Sequence, residues 1–195
     1  MRILLTFFAA LMLFSACRHE TYVPRPRQYP RIDTPAHAYK TFDSAGFPYR
    51  FEIPEYSYVS RDSAVTALQG ANPYWINIEI PRFAGRIYLS YKTITPAEPI
   101  DTLLKDAYKM SEAHEKKASY MNSPTFTNRY GVNGMVYEVG GDAASAYQFF
   151  ATDNTKHFLR GSLYFDVSPN ADSLAPVIRF LKQDLDHLLG TLQWK

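Results

Sequence analysis

The sequence contains only one cysteine, Cys17, among its 195 residues, so it has no second cysteine for an internal disulfide. A chain without disulfides depends on its hydrophobic core for stability. The cysteine clusters of structural zinc sites are excluded for the same reason. The five histidines are scattered along the chain, which also argues against a metal site. We therefore expect no metal ion and no cofactor.

An excess of positive charge is also absent from most of the chain. The sequence has 21 Lys and Arg against 19 Asp and Glu, but five of the basic residues and one of the acidic residues precede Ile32. The remainder has 16 basic and 18 acidic residues. Proteins that bind nucleic acids neutralise phosphates with a basic surface. The charge balance therefore predicts that nucleic acid is not a partner.

A long apolar run occurs only at the start of the chain. Arg2 precedes Ile3–Phe14, which is apolar except for Thr6, and two small residues follow. As a helix this run would rise about 18 Å, whereas the hydrocarbon core of a bilayer is about 30 Å thick. The segment is therefore too short for a stable span and is typical of a signal peptide. We predict that residues 1–17 form a lipoprotein signal peptide.

The only cysteine stands where this signal would be cleaved. Cys17 follows Phe14–Ala16, which resembles a lipobox with phenylalanine in place of the more usual leucine. We predict that Cys17 is lipidated with palmitate-type acyl chains, since more than one chain gives stable membrane anchoring. The alternative is a small buried thiol. Arg18, rather than aspartate, follows the cysteine, which by analogy with enterobacterial sorting permits transfer to the outer membrane. We expect the protein to be anchored at the periplasmic face of that membrane.

The segment after the cysteine differs in composition from the rest of the chain. Residues 18–35 contain four prolines with three arginines between them. This spacing favours extended polyproline II structure over packing. We predict a tether at 18–35 and a single α+β domain at 36–195.

Alternating apolar residues predict a β-hairpin in the first half of this domain. Tyr74–Ile80 and Ile87–Tyr91 each place apolar side chains on one face, and a five-residue loop, Pro81–Gly85, separates them. Further strands are predicted at Tyr49–Ile53, Tyr56–Ser60, Thr125–Arg129, Gly134–Val139, Ser145–Thr152 and Lys156–Val167.

Two segments have the apolar period of an amphipathic helix. The first is Pro99–Met121, whose apolar stripe is Ile100, Leu103, Leu104, Ala107, Met110, His114 and Ala118. The second follows a cap at Asn170 or Asp172 and continues to Leu192. The predicted fold class is α+β: a mostly antiparallel sheet with both helices packed on one face. The residues predicted to share one core are Ile76, Ile78, Ile80, Ile87, Leu89, Leu104, Leu163, Ile178, Leu181 and Leu185.

One polar cluster contains the residue types of an acid-base site. Asp153, Lys156 and His157 are close in sequence, and Arg160 and Ser162 follow. In an extended strand, however, His157 shares a face with Leu159 and Leu163, whereas Lys156 and Arg160 point to the other side. We interpret the cluster as a polar turn that leads into a strand with a buried histidine, and we retain a catalytic site as the alternative.

The sheet face opposite the isoleucines has the composition of a contact surface. Trp75, Tyr88, Arg160 and Tyr164 are predicted on this face, and aromatic residues mixed with arginine are typical of protein interfaces. They are therefore candidate contacts for a protein partner. The alternative is that the aromatic segment from Tyr39 to Tyr58 covers this face.

Three stretches of the chain carry a family resemblance. They are Pro73–Glu79 with Ile87–Lys92, Gln148–Phe150 with Lys156–Gly161, and Asp172–Ile178. Together they resemble the gliding-motility lipoproteins of Bacteroidetes known as the GldD type. The arginine-proline tether and the terminal Trp194-Lys195 extend this resemblance over nearly the whole chain after the signal.

The resemblance implies an envelope lipoprotein that supports gliding and the associated type IX secretion apparatus. It implies protein components of that apparatus as partners, and it carries over no catalytic residue. The favoured hypothesis is a non-catalytic interaction or assembly factor. The alternative is a periplasmic ligand-binding module or a weak hydrolase that uses the cluster from Asp153 to Arg160.

Overall fold

Fourteen elements organise the part of the chain that the computed structural model describes, residues 32–61, 72–112 and 118–195. The strands are β1 (Tyr39–Phe42), β2 (Tyr49–Pro54), β3 (Tyr58–Ser60), β4 (Ile76–Ile80), β5 (Gly85–Thr93), β6 (Ala118–Asn122), β7 (Thr125–Thr127), β8 (Asn133–Gly141), β9 (Tyr147–Thr152), β10 (His157–Phe165) and β11 (Gln193–Trp194). The helices are the single 3₁₀ turn Pro81–Phe83, α1 (Ile100–Glu112) and α2 (Ala171–Thr191).

The strands form two antiparallel sheets. The larger sheet has eight strands in the order β3-β4-β5-β10-β9-β8-β6, with β7 also paired to β8. The smaller sheet has the order β1-β2-β11. The predicted hairpin is present as β4 and β5, in which Ile78 lies opposite Ile87. The short strands β1 and β11 were not predicted from the sequence.

The main core lies on the face of the larger sheet that bears Ile78 and Leu89, here called the isoleucine face. Helix α2 contributes Leu181 and Leu185 to this core, and strand β2 contributes Phe51. All five of these side chains are almost fully buried. Most of the aromatic segment from Tyr39 to Tyr58 therefore packs through β2 on the isoleucine face. The alternative that this segment covers the opposite face is wrong.

A second, smaller core lies on the opposite face of the same sheet. Leu103 and Ala107 of α1 pack there against Tyr137, Phe150 and Phe158. The α+β class and the mostly antiparallel sheet are thus confirmed, but the two helices pack on opposite faces rather than on one. The apolar stripe of a helix shows that one side is buried and does not show which face of a sheet buries it.

The first helix is shorter than predicted. Its described part is Ile100–Glu112, and residues that the apolar period assigned to its end form strand β6, Ala118–Asn122. Strand β6 pairs with the Glu138–Gly141 part of β8, which provides hydrogen-bond partners for the backbone groups that the two strands direct toward each other. The secondary structure of this segment is therefore determined by pairing with a distant strand and not by its helical propensity. His114 lies outside the described residues.

Most of the predicted core is confirmed, with two exceptions. Eight of the ten predicted residues are buried and belong to the core of the isoleucine face. Leu104 is only partly buried and packs with the second core, and Ile178 is also partly buried. In α1, Leu103 and Ala107 of the predicted apolar stripe are buried together with Ser111, whereas Met110 is exposed.

A buried carboxylate joins α2 to the segment before the larger sheet. Asp184 is 3% exposed and accepts hydrogen bonds from the Tyr39 hydroxyl, at 3.0 Å, and from the Tyr56 hydroxyl. The His37 Nδ1 atom lies 2.7 Å from the same carboxylate. Burial, together with the hydrogen bond to Asp184, raises the pKa of Tyr39 to about 12, so this hydroxyl keeps its proton. The cluster connects the start of the described chain to the helix.

Candidate interaction surface

The face of the larger sheet opposite the isoleucine face is only partly covered. Helix α1 packs over β8, β9 and β10 on this side. Beyond α1, Tyr58 is 53% exposed, Tyr88 39% and Trp75 37%. We call this side of the sheet the aromatic face. It is formed by the side chains of β3, β4, β5 and β10 that point away from the isoleucine face. Exposed aromatic side chains of this size are typical of protein contact surfaces.

Strand register places Tyr88 within a network of polar and aromatic contacts. Arg86 Nε lies 2.8 and 2.9 Å from the two carboxylate oxygens of Glu79, and Arg86 Nη1 donates to the Tyr88 hydroxyl at 3.0 Å. The rings of Tyr88 and Tyr164 meet edge to face with centroids 5.6 Å apart. These contacts hold the Tyr88 ring in place, so an aromatic contact there would require little ordering on binding.

Trp75 stands immediately before β4, at the end of this face. Its indole Nε1–H donates to the carbonyl of Tyr91 at 2.8 Å, and the side chain keeps 37% of its surface exposed. An indole with its polar atom bonded and its ring exposed offers a large rigid surface to a partner.

Arg160 lies on the same face, at the boundary with α1. Its Nη2 atom donates to Gln148 Oε1 at 2.7 Å. No carboxylate of the described residues forms an ion pair with Arg160, whereas Arg86 and Lys92 nearby are paired with Glu79 and Glu98. Burial lowers the pKa of Arg160. Its positive charge is thus partly desolvated and is not neutralised within the described part of the chain.

A row of polar side chains crosses this face from one strand to the next. Each member lies directly opposite the next one in the register of neighbouring strands. We call these residues the polar row: Ser60, Asn77, Tyr88, Ser162, Gln148 and Tyr137. This row was not predicted from the sequence, because it depends on the order and register of six strands. Four of its members, Asn77, Ser162, Gln148 and Tyr137, are buried. Gln148 and Ser162 stand next to apolar residues in the sequence, which is the one signal that the sequence offers.

The candidate acid-base cluster is arranged around its own turn. Asp153 Oδ1 accepts the backbone N–H groups of Thr155, Lys156 and His157 at 3.0, 2.8 and 2.9 Å. Burial raises the pKa of Asp153, but the bonds from His157, Lys156 and Thr155 outweigh this effect and lower it to about 2. Asn154 has a positive φ of 62°, as turns of this kind require. Asp153 thus acts on the backbone of the turn.

His157 is held within the main core. Its side chain is 4% exposed, and its Nδ1 atom lies 2.7 Å from the Tyr91 hydroxyl. The ring stacks on Trp194 with centroids 5.0 Å apart, and burial lowers the pKa of the imidazole. Lys156 is exposed at the turn. The structure therefore keeps Asp153, Lys156 and His157 close in the chain but directs them to the turn backbone, to solvent and to the core.

We expect the turn to respond to acid. The folded pKa of Asp153, about 2, lies below its ordinary value of 3.8. The ionised carboxylate therefore stabilises the fold fully at pH values above 3.8, and this stabilisation is lost as the pH falls through about 2. Asp153→Ala should lower the free energy of unfolding by about 1 kcal/mol at neutral pH, with a smaller difference near the folded pKa. Urea unfolding at several pH values measures this.

The variant Asp153→Asn is the matched control, since its amide oxygen still accepts backbone N–H groups but does not titrate. Its stability relative to Asp153→Ala should stay constant as the pH falls. A wild-type protein whose advantage over Asp153→Ala is the same at neutral pH and near pH 2 would contradict the assigned role.

The described residues contain neither a cluster of metal-binding side chains nor a membrane-spanning helix. Within 32–61, 72–112 and 118–195, no three His, Cys, Asp or Glu side chains are grouped closely enough to hold a metal ion. Over the same ranges, no helix is long and apolar enough to cross a membrane. Cys17, the predicted signal peptide at 1–17 and most of the predicted tether at 18–35 lie outside the described residues.

Comparison with known protein families identifies the class of protein to which this chain belongs. The features above are those of an α+β domain with a half-covered sheet face, and a family model of lipoproteins matches residues 19–194. The chain belongs to the family described as gliding motility lipoprotein GldD. The resemblance found in the sequence is thus confirmed, and family membership gives the protein a role in gliding motility and a lipid-anchored place in the cell envelope.

Other comparisons add little to this assignment. No curated protein sequence matches the chain. Among solved structures, the chain is similar to the solution structure of the cyanobacterial PsbP protein CyanoP from Synechocystis sp. PCC 6803, with a TM-score of 0.49 and 11% sequence identity. The match covers 85% of this chain and 98% of that one.

Proposed function

We propose that this lipoprotein is a non-catalytic interaction factor that supports gliding and the associated type IX secretion machinery, and that it binds a protein partner through the aromatic face. The observation that carries the proposal is the half-exposed pair Trp75 and Tyr88, fixed by hydrogen bonds on one side of a rigid sheet. Anchored aromatic side chains dominate the binding energy of many protein interfaces.

The proposed attachment is through acyl chains on Cys17, at the periplasmic face of the outer membrane. The proline-rich segment at 18–35 would then separate the folded domain from the lipid surface. An extended proline-rich chain spans about 3.1 Å per residue, so this tether would reach about 56 Å. That length would be enough for the aromatic face to meet a partner away from the membrane.

The alternative is a periplasmic binding module or a weak hydrolase that uses the cluster from Asp153 to Arg160. The geometry of the described residues favours the first proposal, because Asp153 binds the backbone of its turn and His157 is bonded to Tyr91 in the core. Neither group is directed toward the aromatic face. The comparison of variants below separates the two functions.

We expect Tyr88→Ala and Trp75→Ala each to weaken association with the partner by about 2 kcal/mol, roughly thirtyfold, because each removes a fixed aromatic contact. Both variants should remain folded, since both side chains are substantially exposed. Recovery of envelope proteins with the tagged lipoprotein, together with colony spreading, is measured at matched protein levels.

Tyr130→Ala is the matched control, because Tyr130 is 42% exposed but lies next to Asn128, which binds the end of α2. It should leave association unchanged. His157→Ala should reduce only the amount of folded protein. A stable His157→Ala protein without activity, alongside fully active Trp75 and Tyr88 variants, would replace the interaction proposal with the catalytic one.

A further inference from the structure

The polar row contains two buried atoms without a hydrogen-bond partner. Gln148 Nε2 and Ser162 Oγ both lie in side chains that are 1% exposed or less, and neither atom has a partner in the structure. Their residues are directly paired across β9 and β10. A buried donor without a partner costs free energy, so two of them side by side require an explanation.

The positively charged side chain next to this pair, Arg160, also lacks an acceptor for part of its hydrogen-bonding capacity within the described part of the chain. Arg160 lies next to this pair, with its guanidinium bonded to Gln148 Oε1 at 2.7 Å, and no carboxylate of the described residues forms an ion pair with it. A guanidinium carries five N–H donors in a rigid planar arrangement that matches a carboxylate. One cation and two neutral donors on one side of the sheet therefore form a group of donors that lacks an anionic acceptor.

The neighbouring charges indicate how much negative charge this missing acceptor carries. Arg86 is paired with Glu79 and Lys92 with Glu98, so Arg160 is the cation of this face that remains unneutralised among the described residues. A single guanidinium balances a single negative charge, whereas a phosphate dianion usually requires more positive charge. The arrangement fits a carboxylate better than a phosphate.

The position of these donors indicates where the carboxylate comes from. Tyr88 pairs directly with Ser162 in the strand register, and Ser90 pairs with Arg160. The donors therefore begin beside the exposed aromatic contact and continue beneath the edge of α1. A partner that covers Tyr88 would place an acidic side chain next to Arg160, where its charge would be partly shielded from water.

We propose that Arg160, Gln148 and Ser162 form a carboxylate-binding site that receives an acidic residue of the protein partner. This inference rests on the proposed function, because it assigns the polar half of the same contact surface. Tyr88 and Trp75 supply aromatic contact area, and Arg160 supplies selectivity for a partner with a negative charge at the matching position.

The experiment measures anion binding directly on the full-length lipoprotein in detergent micelles. Side-chain nitrogen resonances of Arg160 and Gln148 are followed by NMR during titration with sodium acetate, and acetamide and inorganic phosphate serve as comparison probes. We expect acetate to shift both resonances in a saturable manner. Acetamide, which has nearly the same shape without the charge, should not shift them, and phosphate should bind more weakly than acetate.

Three variants identify the residue responsible. Arg160→Gln should weaken acetate binding at least about tenfold, as expected for loss of a charge-assisted hydrogen bond. Arg160→Lys keeps the charge without the planar donors and should bind acetate with intermediate affinity. If Arg160→Gln does not fold, the affinity of Arg160→Lys tests the role of Arg160 instead. Arg179→Gln removes an equal charge from an exposed position on α2 and should bind acetate normally.

The outcomes separate this inference from the proposed function. If acetate leaves both resonances unchanged, or if phosphate binds as tightly as acetate, the carboxylate site is wrong even where Tyr88→Ala still loses the partner. If acetate binds but neither Arg160→Gln nor Tyr88→Ala reduces recovery of envelope proteins, an anion site exists that does not belong to the partner interface, and the inference as stated is also overturned.

Discussion

Asp184→Ala is expected to lower the free energy of unfolding by about 3 kcal/mol. The Asp184 carboxylate is buried and accepts hydrogen bonds from the Tyr39 and Tyr56 hydroxyls, and His37 Nδ1 lies 2.7 Å from it. Removal of this acceptor leaves two hydroxyls and a ring nitrogen without their partner. Since burial raises the pKa of both tyrosines, ionisation of a hydroxyl does not relieve the loss at neutral pH.

Asp186→Ala provides the comparison for this result. Asp186 lies on the same helix but is exposed, and its carboxylate accepts one hydroxyl, from Tyr147 at 2.6 Å. Its replacement should cost only about 1 kcal/mol. Urea unfolding followed by circular dichroism measures both. Equal losses for the two variants would show that the three-donor cluster has no special role in stability.

The Asp184 variant should also release the beginning of the described chain. The Tyr39 ring stacks on His187 at 3.6 Å and the His37 ring stacks on Phe180 at 4.3 Å, and both contacts are oriented by the bonds to Asp184. Hydrogen exchange at residues 37–42 should therefore accelerate more than exchange in β9. Exchange that accelerates equally in both segments would indicate global loss of stability only.

Gly134→Ala is expected to destabilise the protein by about 3 kcal/mol, at the upper end of what overpacking usually costs. A Cβ atom at position 134 would lie within 3.0 Å of the Phe150 carbonyl oxygen and of the Phe126 ring. Gly134 pairs with Ala151 on one side and with Phe126 on the other, so both neighbouring strands would have to move. A backbone carbonyl held in a ladder cannot rotate away as a side chain can.

Gly190→Ala makes the same chemical change where space is available. A Cβ atom there would meet nothing within 4 Å, and the residue lies in helix α2. Alanine is the better helix former by about 1 kcal/mol, so this variant should be more stable than the wild type. The two alanine substitutions are thus expected to have opposite signs in thermal or urea unfolding. A Gly134→Ala protein of wild-type stability would contradict this prediction, because it would show that β7 can move away from the added Cβ atom without loss of stability.

Local sequence patterns predicted the elements whose pairing or capping is local. The β4–β5 hairpin depends on alternation around a short loop, and its register places Ile78 opposite Ile87. The cap of α2 is Asn170, whose side chain accepts the Ser173 N–H at 3.1 Å. Both features involve residues close in the chain, where turn and capping chemistry act without help from the rest of the fold.

Strand β9 carried a signal about the two faces of the sheet. All six of its residues, Tyr147–Thr152, are buried, although alternate side chains point to opposite faces. A strand without apolar alternation is typical of burial on both sides. The prediction that both helices lie on one face did not use this signal, and the position of α1 over Phe150 shows what covers the second face.

The sequence by itself determined the family, the α+β class, the isoleucine core and the parity that directs Tyr88 and Arg160 away from it. These depend on composition, on period and on residues close in the chain. The tertiary structure decided that β6 is a strand, that α1 and α2 lie on opposite faces, and that Gln148, Ser162 and Arg160 meet. Each of these depends on pairing between distant segments, whose free energy comes from backbone hydrogen bonds and burial that no local pattern contains.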